Sequence, residues 1–455
     1  VSAGSSDAGE HASGGRAPIW RIVAAVFAAY LVQGIVAGLG ALMIGSLAQL
    51  GAGLDAQVGL LASGALPWAL KFAIAFTVDL GPSWTLRTRG AAIAATMLAS
   101  AAALWVVGAG WLGGQGGLPG SMATVAFAWV GLNFVLAGQD VLVDALALDC
   151  LRAHRAAAGT AMGLGHALGF GALPGLWLTP RILEQGMSAG LRTPAPWVIA
   201  LGLGALAMLW MPGRPLRARE QGGGGEGGGE GGGEGGGEGP ERGGRGGRGE
   251  QARSPAWPWL AASLAVFAVL MLGPNLTSAL SAELLLGRLA WDYARYASVL
   301  MPIGALAGVI GALGWGPLVA RLGAARAGAL AGAALGLVWL GFAGAEGLWI
   351  HQPTIATLAV LEGLLQPALL VAVHALALAL AARSRLSTTF FVLAMAALNL
   401  PRVIAPLWAP AWLGALDFAG TFALCGITTL LAGLATAALG RGTRGAAAAS
   451  GEADA

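Results

Sequence analysis

Long apolar runs separated by short polar breaks set the pattern of this chain. They fall at about 19–50, 57–80, 90–111, 121–149, 157–184 and 195–212. After an interval with almost no apolar residue they resume at 257–286, 296–319, 327–349, 353–382, 387–416 and 418–440. An α-helix rises about 1.5 Å per residue, so about 20 apolar residues cross a hydrocarbon core, and tilt absorbs the longer runs. Each run is expected to be a membrane helix. The expected fold is an all-α membrane protein with twelve transmembrane helices in two six-helix bundles, at 19–212 and 257–440. A linker at 213–256 joins them, and disordered tails at 1–18 and 441–455 flank them. The first run is too long for a signal-peptide core and lacks a clear cleavage site, so it reads as a retained helix.

Composition sharpens this picture through what is missing. Hydrophobic residues are 56% of the chain and charged residues only 10%, against roughly a quarter charged in a soluble domain. Arginine placement then orients the helices. With both termini cytoplasmic, that side holds Arg16, Arg21, Arg87, Arg89, Arg152, Arg155, Arg321, Arg326, Arg383, Arg385, Arg441, Arg444 and the linker arginines, whereas the opposite side holds Arg181, Arg192, Arg288 and Arg295. Cytoplasmic loops carry such an excess as a rule. The abundance of Ala and Gly and the single lysine, Lys71, suggest a GC-rich bacterial genome and hence the bacterial inner membrane. Cys150 and Cys425 alone make no disulfide framework.

The basic residues sit in membrane-flanking loops, so no nucleic-acid partner is expected. The linker sets Glu226, Glu230, Glu234 and Glu238 among glycines, followed by Arg242, Arg245 and Arg248. It reads as a flexible tether. The competing reading, an RGG-like RNA-binding segment, lacks the interleaved aromatic residues.

The charged residues inside apolar runs carry the candidate chemistry. Asp140 and Asp144, four apart in Gly138-Gln139-Asp140-Val141-Leu142-Val143-Asp144, share one helical face. An Asp at the centre of a membrane helix costs roughly 2.5–3.5 kcal/mol on insertion scales, so this face is expected to meet a polar cavity. Lys71 lies about two helical turns inward of Asp79, and Asp140 and Asp144 are its natural partners. One reading is a proton switch, a carboxylate alternating between the lysine and a dry pocket. The other is a static buried pair fixing two helices. His166 and His374 either titrate near neutral pH or, as lone histidines in apolar helices, serve packing. Arg402 follows Asn399 and Pro401, and a buried arginine is a good clamp for carboxylate or phosphate. Its alternative is charge balance for a neighbouring acid. No metal-ligand spacing, nucleotide-binding loop or nucleophile cluster is evident, so neither metal, cofactor nor enzymatic activity is expected.

Several of these residues fall in ordered patches. They are Pro67-Trp68-Ala69-Leu70-Lys71-Phe72, Asp79 before Arg87-Thr88-Arg89-Gly90, Gln139-Asp140 with Asp144, and Ser387-Thr388-Thr389-Phe390-Phe391 leading to Pro401-Arg402-Val403. Together they resemble the AmpG-like permeases of the peptide/acetyl-coenzyme A transporter branch, in the major facilitator superfamily. The resemblance implies a secondary active transporter, working as a monomer by alternating access, that moves a small organic solute, muropeptide-like as a first expectation, with protons. It implies a conformational latch of Asp79, Arg87, Arg89 and Asp149, where plain topology would only place charged helix ends among headgroups. It also implies a substrate cavity lined by Gln139, Asn399, Arg402, Glu362, Gln366 and His374, with Glu283 nearby. The second-half loop departs from the superfamily pattern: Ala320 replaces its acid and Ala324-Ala325 interrupts its basic run. That departure leaves open a non-transporting scaffold or sensor on the same fold.

Overall fold

The structure is a computed structural model, and it describes residues 18–49, 54–80, 85–111, 122–151, 153–210, 257–382, 384 and 386–449. The linker arginines and glutamates, Arg16, Arg152, Arg383 and Arg385 lie outside the described residues. The described chain is helical throughout. The first half forms α1 (Ile19–Gln49), α2 (Leu54–Leu70), α3 (Phe72–Leu80), α4 (Leu86–Gly110), α5 (Met122–Cys150), α6 (Arg155–Ala167), α7 (Thr179–Gln185), α8 (Met187–Arg192) and α9 (Ala195–Trp210). The second half forms α10 (Trp257–Ala282), α11 (Tyr293–Leu322), α12 (Ala324–Gly344), α13 (Gln352–Ala381) and α14 (Ser387–Ala449).

Among the described residues, nine helices are long and apolar enough to cross a membrane. Two of the expected runs are interrupted and a third break falls between two runs, and each has a local cause. Pro67 withdraws one donor from the ladder of α2, and the helix breaks one turn later at Lys71. Past α6 the chain takes π-helical turns at Leu168–Ala172 and Pro174–Leu178, where Pro174 again removes a donor, and the Pro174 carbonyl accepts from both the backbone N–H and the Oγ1 of Thr179, the latter at 3.0 Å. Within α14 the helix turns at Asp417 (φ 56°, ψ −172°), between the expected runs 387–416 and 418–440. This is a backbone region that L residues rarely occupy. The Asp417 side chain meets the strain locally, accepting from Gly420 N at 2.8 Å as the cap of the next segment. The helix then runs on to Ala449, beyond the expected boundary at 440, through an alanine-rich stretch that favours helix.

Each half packs on itself: α4 against α5 and α9, α1 against α6 and α9, and in the second half α14 against α10 and α12, α11 against α13. In lipid no hydrophobic force drives apolar helices together, so close backbone approach between small residues supplies the contact. A Cβ on Gly34 of α1 would lie 2.8 Å from Gly169 Cα, and one on Gly336 of α12 would lie 2.6 Å from the Gly426 carbonyl oxygen of α14. The outer surface carries large apolar side chains, with Phe127 84% and Ile310 63% exposed. That surface suits hydrocarbon and not water.

The four arginines expected on the side with few charges share one environment. Arg181 lies over Trp177, Arg192 over Trp105, Arg288 over Trp349 and Arg295 over Trp291, at 4.2 to 5.5 Å from the ring centroids. Cation–π contact with an aromatic belt is how a membrane interface holds such a group.

The two halves meet along two seams. α6 faces α11 and α13, while α14 faces α2, α3 and α5. Lys71, Asp140 and Asp144 are buried on the elements of the second seam.

Candidate functional site

The break between α2 and α3 places Lys71 opposite α5, and the four-residue spacing on α5 stacks Asp140 and Asp144 toward it. Lys71 Nζ forms an ion pair with Asp140 Oδ2 and lies 3.8 Å from Asp144 Oδ2. All three are buried: Lys71 is 1%, Asp140 3% and Asp144 0% exposed. Tyr30 of α1 completes the group, its hydroxyl donating to Asp144 Oδ1 at 2.7 Å. Trp68, one turn before Lys71, lies beneath the ammonium at 5.7 Å and donates from Nε1 to Asn133 Oδ1 at 2.9 Å. The packing is apolar where α3, α5 and α14 meet at Ala75, Val141 and Val392.

One ammonium thus faces two carboxylates. With both ionised the cluster is a net anion; with one proton added it is neutral. In a low-dielectric setting that difference is large, and an added proton belongs to the cluster as a unit. Asp144 Oδ2 accepts no hydrogen bond among the described residues. The neighbouring Gln139 is fully buried with neither amide atom partnered, and Gln33 Nε2 on α1 is also unpartnered. Buried polar atoms in this condition are uncommon in folded proteins.

The second half contributes Arg402 and His374. Arg402, half-buried on α14, donates from Nη2 to His166 Nε2 on α6 at 3.3 Å, a bond across the seam. No acid pairs with it among the described residues, so charge balance by contact with Glu362 is not what the structure contains. Glu362 accepts instead from Trp339 Nε1 of α12. His374 on α13 bonds the Leu370 carbonyl through Nδ1 at 2.7 Å and meets Tyr30 edge-on, centroids 5.8 Å apart. Asn399 donates back to the Met395 carbonyl of its own helix at 2.9 Å. Gln366 is half-buried, and Glu283 is exposed at the outer end of α10.

The expected four-residue latch is divided. Arg89 pairs with Asp149 at 2.6 Å. Arg87 is exposed and forms no ion pair among the described residues. Asp79 goes elsewhere, to the start of α14, where its carboxylate accepts from Thr389 N at 2.7 Å and Thr388 N at 3.3 Å. It lies on α3 across from those amides, so it caps a helix of the other half.

One group in this arrangement, Tyr30, had no signal in the sequence strong enough to single it out. Tyr30 is one of only three tyrosines, yet one hydroxyl in an apolar helix is unremarkable until its partner is seen. His166, read from the sequence either as a titrating group or as packing, meets Arg402 of the other half. No group of three or more His, Cys, Asp and Glu placed to hold a metal occurs among the described residues.

Two sets of long apolar helices meeting at buried charges define the architecture, and a solved structure shares it. The chain is similar to the crystal structure of the human organic anion transporter MFSD10 (TETRAN), with a TM-score of 0.60 over 92% of this chain and 99% of that one, at 15% sequence identity. At that identity the likeness is one of fold. No protein-family model matches the sequence, and no curated protein matches it.

Proposed function

We propose that this chain is a proton-coupled secondary transporter of a small organic anion, working by alternating access in the bacterial inner membrane. It has twelve membrane helices, counting the interrupted runs at 57–80 and 157–184 and the two segments either side of Asp417, and both termini are cytoplasmic. One observation carries the reading: Lys71, Asp140, Asp144 and Tyr30 lie buried together where the halves meet. Such a charge cluster is costly in a membrane protein and marks a proton or substrate path. Binding sites of secondary transporters lie at this depth, between their repeats.

In this reading Asp144 is the proton carrier, with Tyr30 and Lys71 holding its two oxygens. Gln139 and Gln33 supply unpaired polar groups for the solute, Arg402 a guanidinium with no acid against it among the described residues, and Asp79 with the start of α14 is the latch. A muropeptide-like solute remains the first class to test, on the strength of the AmpG-like patches. The fold neighbour is described as an organic anion transporter, which agrees with an Arg402 that has no acid against it among the described residues, though fold alone never decides a substrate. A non-transporting scaffold has Ala320 in its favour but gives no reason to keep three buried charges.

The test is uptake into proteoliposomes of radiolabelled muropeptides and simple carboxylates under an imposed pH gradient. Wild-type uptake is expected to follow the gradient, and Asp144→Asn is expected to slow gradient-driven uptake well below the wild-type rate. Gradient-driven uptake by Asp144→Asn at the wild-type rate would overturn the assignment of the proton.

A further inference from the structure

We propose that His166 and Arg402 form a proton-linked anion site: a carboxylate enters between imidazole and guanidinium, and His166 takes up one proton as it binds. This rests on the reading of the chain as a transporter with its site between the halves. It deepens that reading by placing a second proton, taken up with the anion at His166, beside the one assigned to Asp144.

Arginine has five N–H donors and no acceptor. Its Nη2 faces His166 Nε2 at 3.3 Å, so that nitrogen offers its lone pair and the single ring proton sits on Nδ1. A proton added at Nε2 turns the acceptor into a donor and sets cation against cation. The bond across the seam then cannot be kept. A carboxylate between the two restores contact, because both groups donate to its oxygens and its charge offsets the added proton. By linkage, whatever factor the anion adds to proton affinity the proton adds to anion affinity.

The surroundings leave this role to an outside anion. α14 brings Arg402 to His166. α13 brings His374, committed through Nδ1 to Leu370, and α1 brings Tyr30, whose hydroxyl is committed to Asp144. α5 holds Asp140, the acid that acts on Arg402 from a distance, and Lys71 already engages it. α11 presents small residues to this stretch, Ala305 beside Gly171 and Gly308 beside Ala167. On α6 and its continuation, Phe170 stacks parallel to the imidazole, 4° between planes at 6.0 Å. Among the described residues no carboxylate touches either member of the pair, and both are half-buried.

The experiment uses the full chain in nanodiscs in weak buffer, with benzoate and N-acetylmuramate as probes, measuring binding and proton uptake together. Wild type is expected to take up close to one proton per carboxylate, with apparent Kd weakening about tenfold per pH unit above neutrality. His166→Gln keeps an acceptor for Arg402 but nothing to titrate. It is expected to bind with no proton uptake and less than about a twofold change in Kd over the same range. Arg402→Gln is expected to lose binding. Nitrogen-15 spectra of histidine-labelled wild type need no variant: one imidazole should pass from the neutral Nδ1–H form to imidazolium when benzoate is added. Full proton uptake by His166→Gln, or no binding of either probe to wild type, overturns the proposal. If instead Asp144→Asn abolishes the uptake, the proton belongs to Asp144, and this proposal falls while the transporter reading stands. Proton-linked binding without gradient-driven transport would leave the site standing and remove the transporter.

Discussion

Replacing Asp79 separates a latch from a helix cap. Its carboxylate accepts from Thr389 N at 2.7 Å and Thr388 N at 3.3 Å, and acceptor and donors belong to different halves of the molecule. The capping free energy therefore counts toward holding α3 against α14 and adds little to either helix alone. A capping acceptor is worth about 0.5–2 kcal/mol, and a negative charge at a helix N-terminus about 0.3–1 kcal/mol. Asp79→Ala is expected to remove about 1–2 kcal/mol and so to raise the separated population about 5- to 30-fold. Asp79→Asn keeps an acceptor and loses only the charge, about 0.3–1 kcal/mol, for a change of about two- to fivefold. The assay is the distance distribution between spin labels at His154 and Arg326, exposed residues at the same end of the two halves, in a background with Cys150 and Cys425 replaced by serine. The long-distance population should rise in the order wild type, Asp79→Asn, Asp79→Ala. Identical distributions in all three, with the alanine variant merely melting earlier, would refute the reasoning and leave Asp79 as a stabilising cap.

Two further predictions concern stability. Lys71→Met strands two buried carboxylates, and breaking a buried pair costs roughly 3–5 kcal/mol; melting followed by a thiol dye at the buried Cys425 should shift down markedly, with most of the shift recovered in Lys71→Met/Asp140→Asn, whereas additive losses would deny the pair. Gly336→Leu drives a side chain into the Gly426 carbonyl, while Gly341→Leu on the same helix meets nothing within 4 Å; only the first should reduce the yield of folded protein in gel filtration, and equal yields would contradict the packing.

What the sequence made legible follows from how rare each residue is in its setting. Lys71, Asp140 and Asp144 stand out because charge in an apolar run is expensive, and helical spacing puts the two acids on one face. Their mutual contact is what that expense requires. Proline was expected to mark bends at Pro67, Pro174, Pro302 and Pro367; the helix is interrupted near the first two, while the last two lie inside unbroken helices. The strained turn at Asp417 was visible only as a gap between two runs. Contacts between halves were not legible. Asp79 and Thr389 are 310 positions apart and His166 and Arg402 236, and neither helix periodicity nor charge spacing carries information over such separations. Asp79 near Arg87 and Arg89 suggested a single local cluster. The free amides at the start of α14 compete for the same carboxylate, and a backbone donor leaves no trace in sequence.

These contacts lie at two depths on shared elements, and that arrangement gives the site its means of control. Lys71 and Asp79 are about 12 Å apart along the α2–α3 axis, and Thr389 and Arg402 about 20 Å along α14, at about 1.5 Å per residue. Withdrawing the start of α14 from Asp79 therefore carries Arg402 with it, away from His166. The opposite seam is different in kind: a Cβ on Gly159 of α6 would sit 2.8 Å from the Val371 carbonyl oxygen of α13. Backbone-to-backbone packing of that sort has no group that a proton or solute can alter. A ligand shifts a conformational equilibrium only through its differential affinity for the two states. On these seams that affinity can act where the contact is polar: at Asp79 with Thr388 and Thr389, at Tyr30 against His374, and at His166 with Arg402. The first is a fixed charge on a helix end. The other two contain imidazoles, and under the proposed function a proton and an anion act there on whether the halves hold or part.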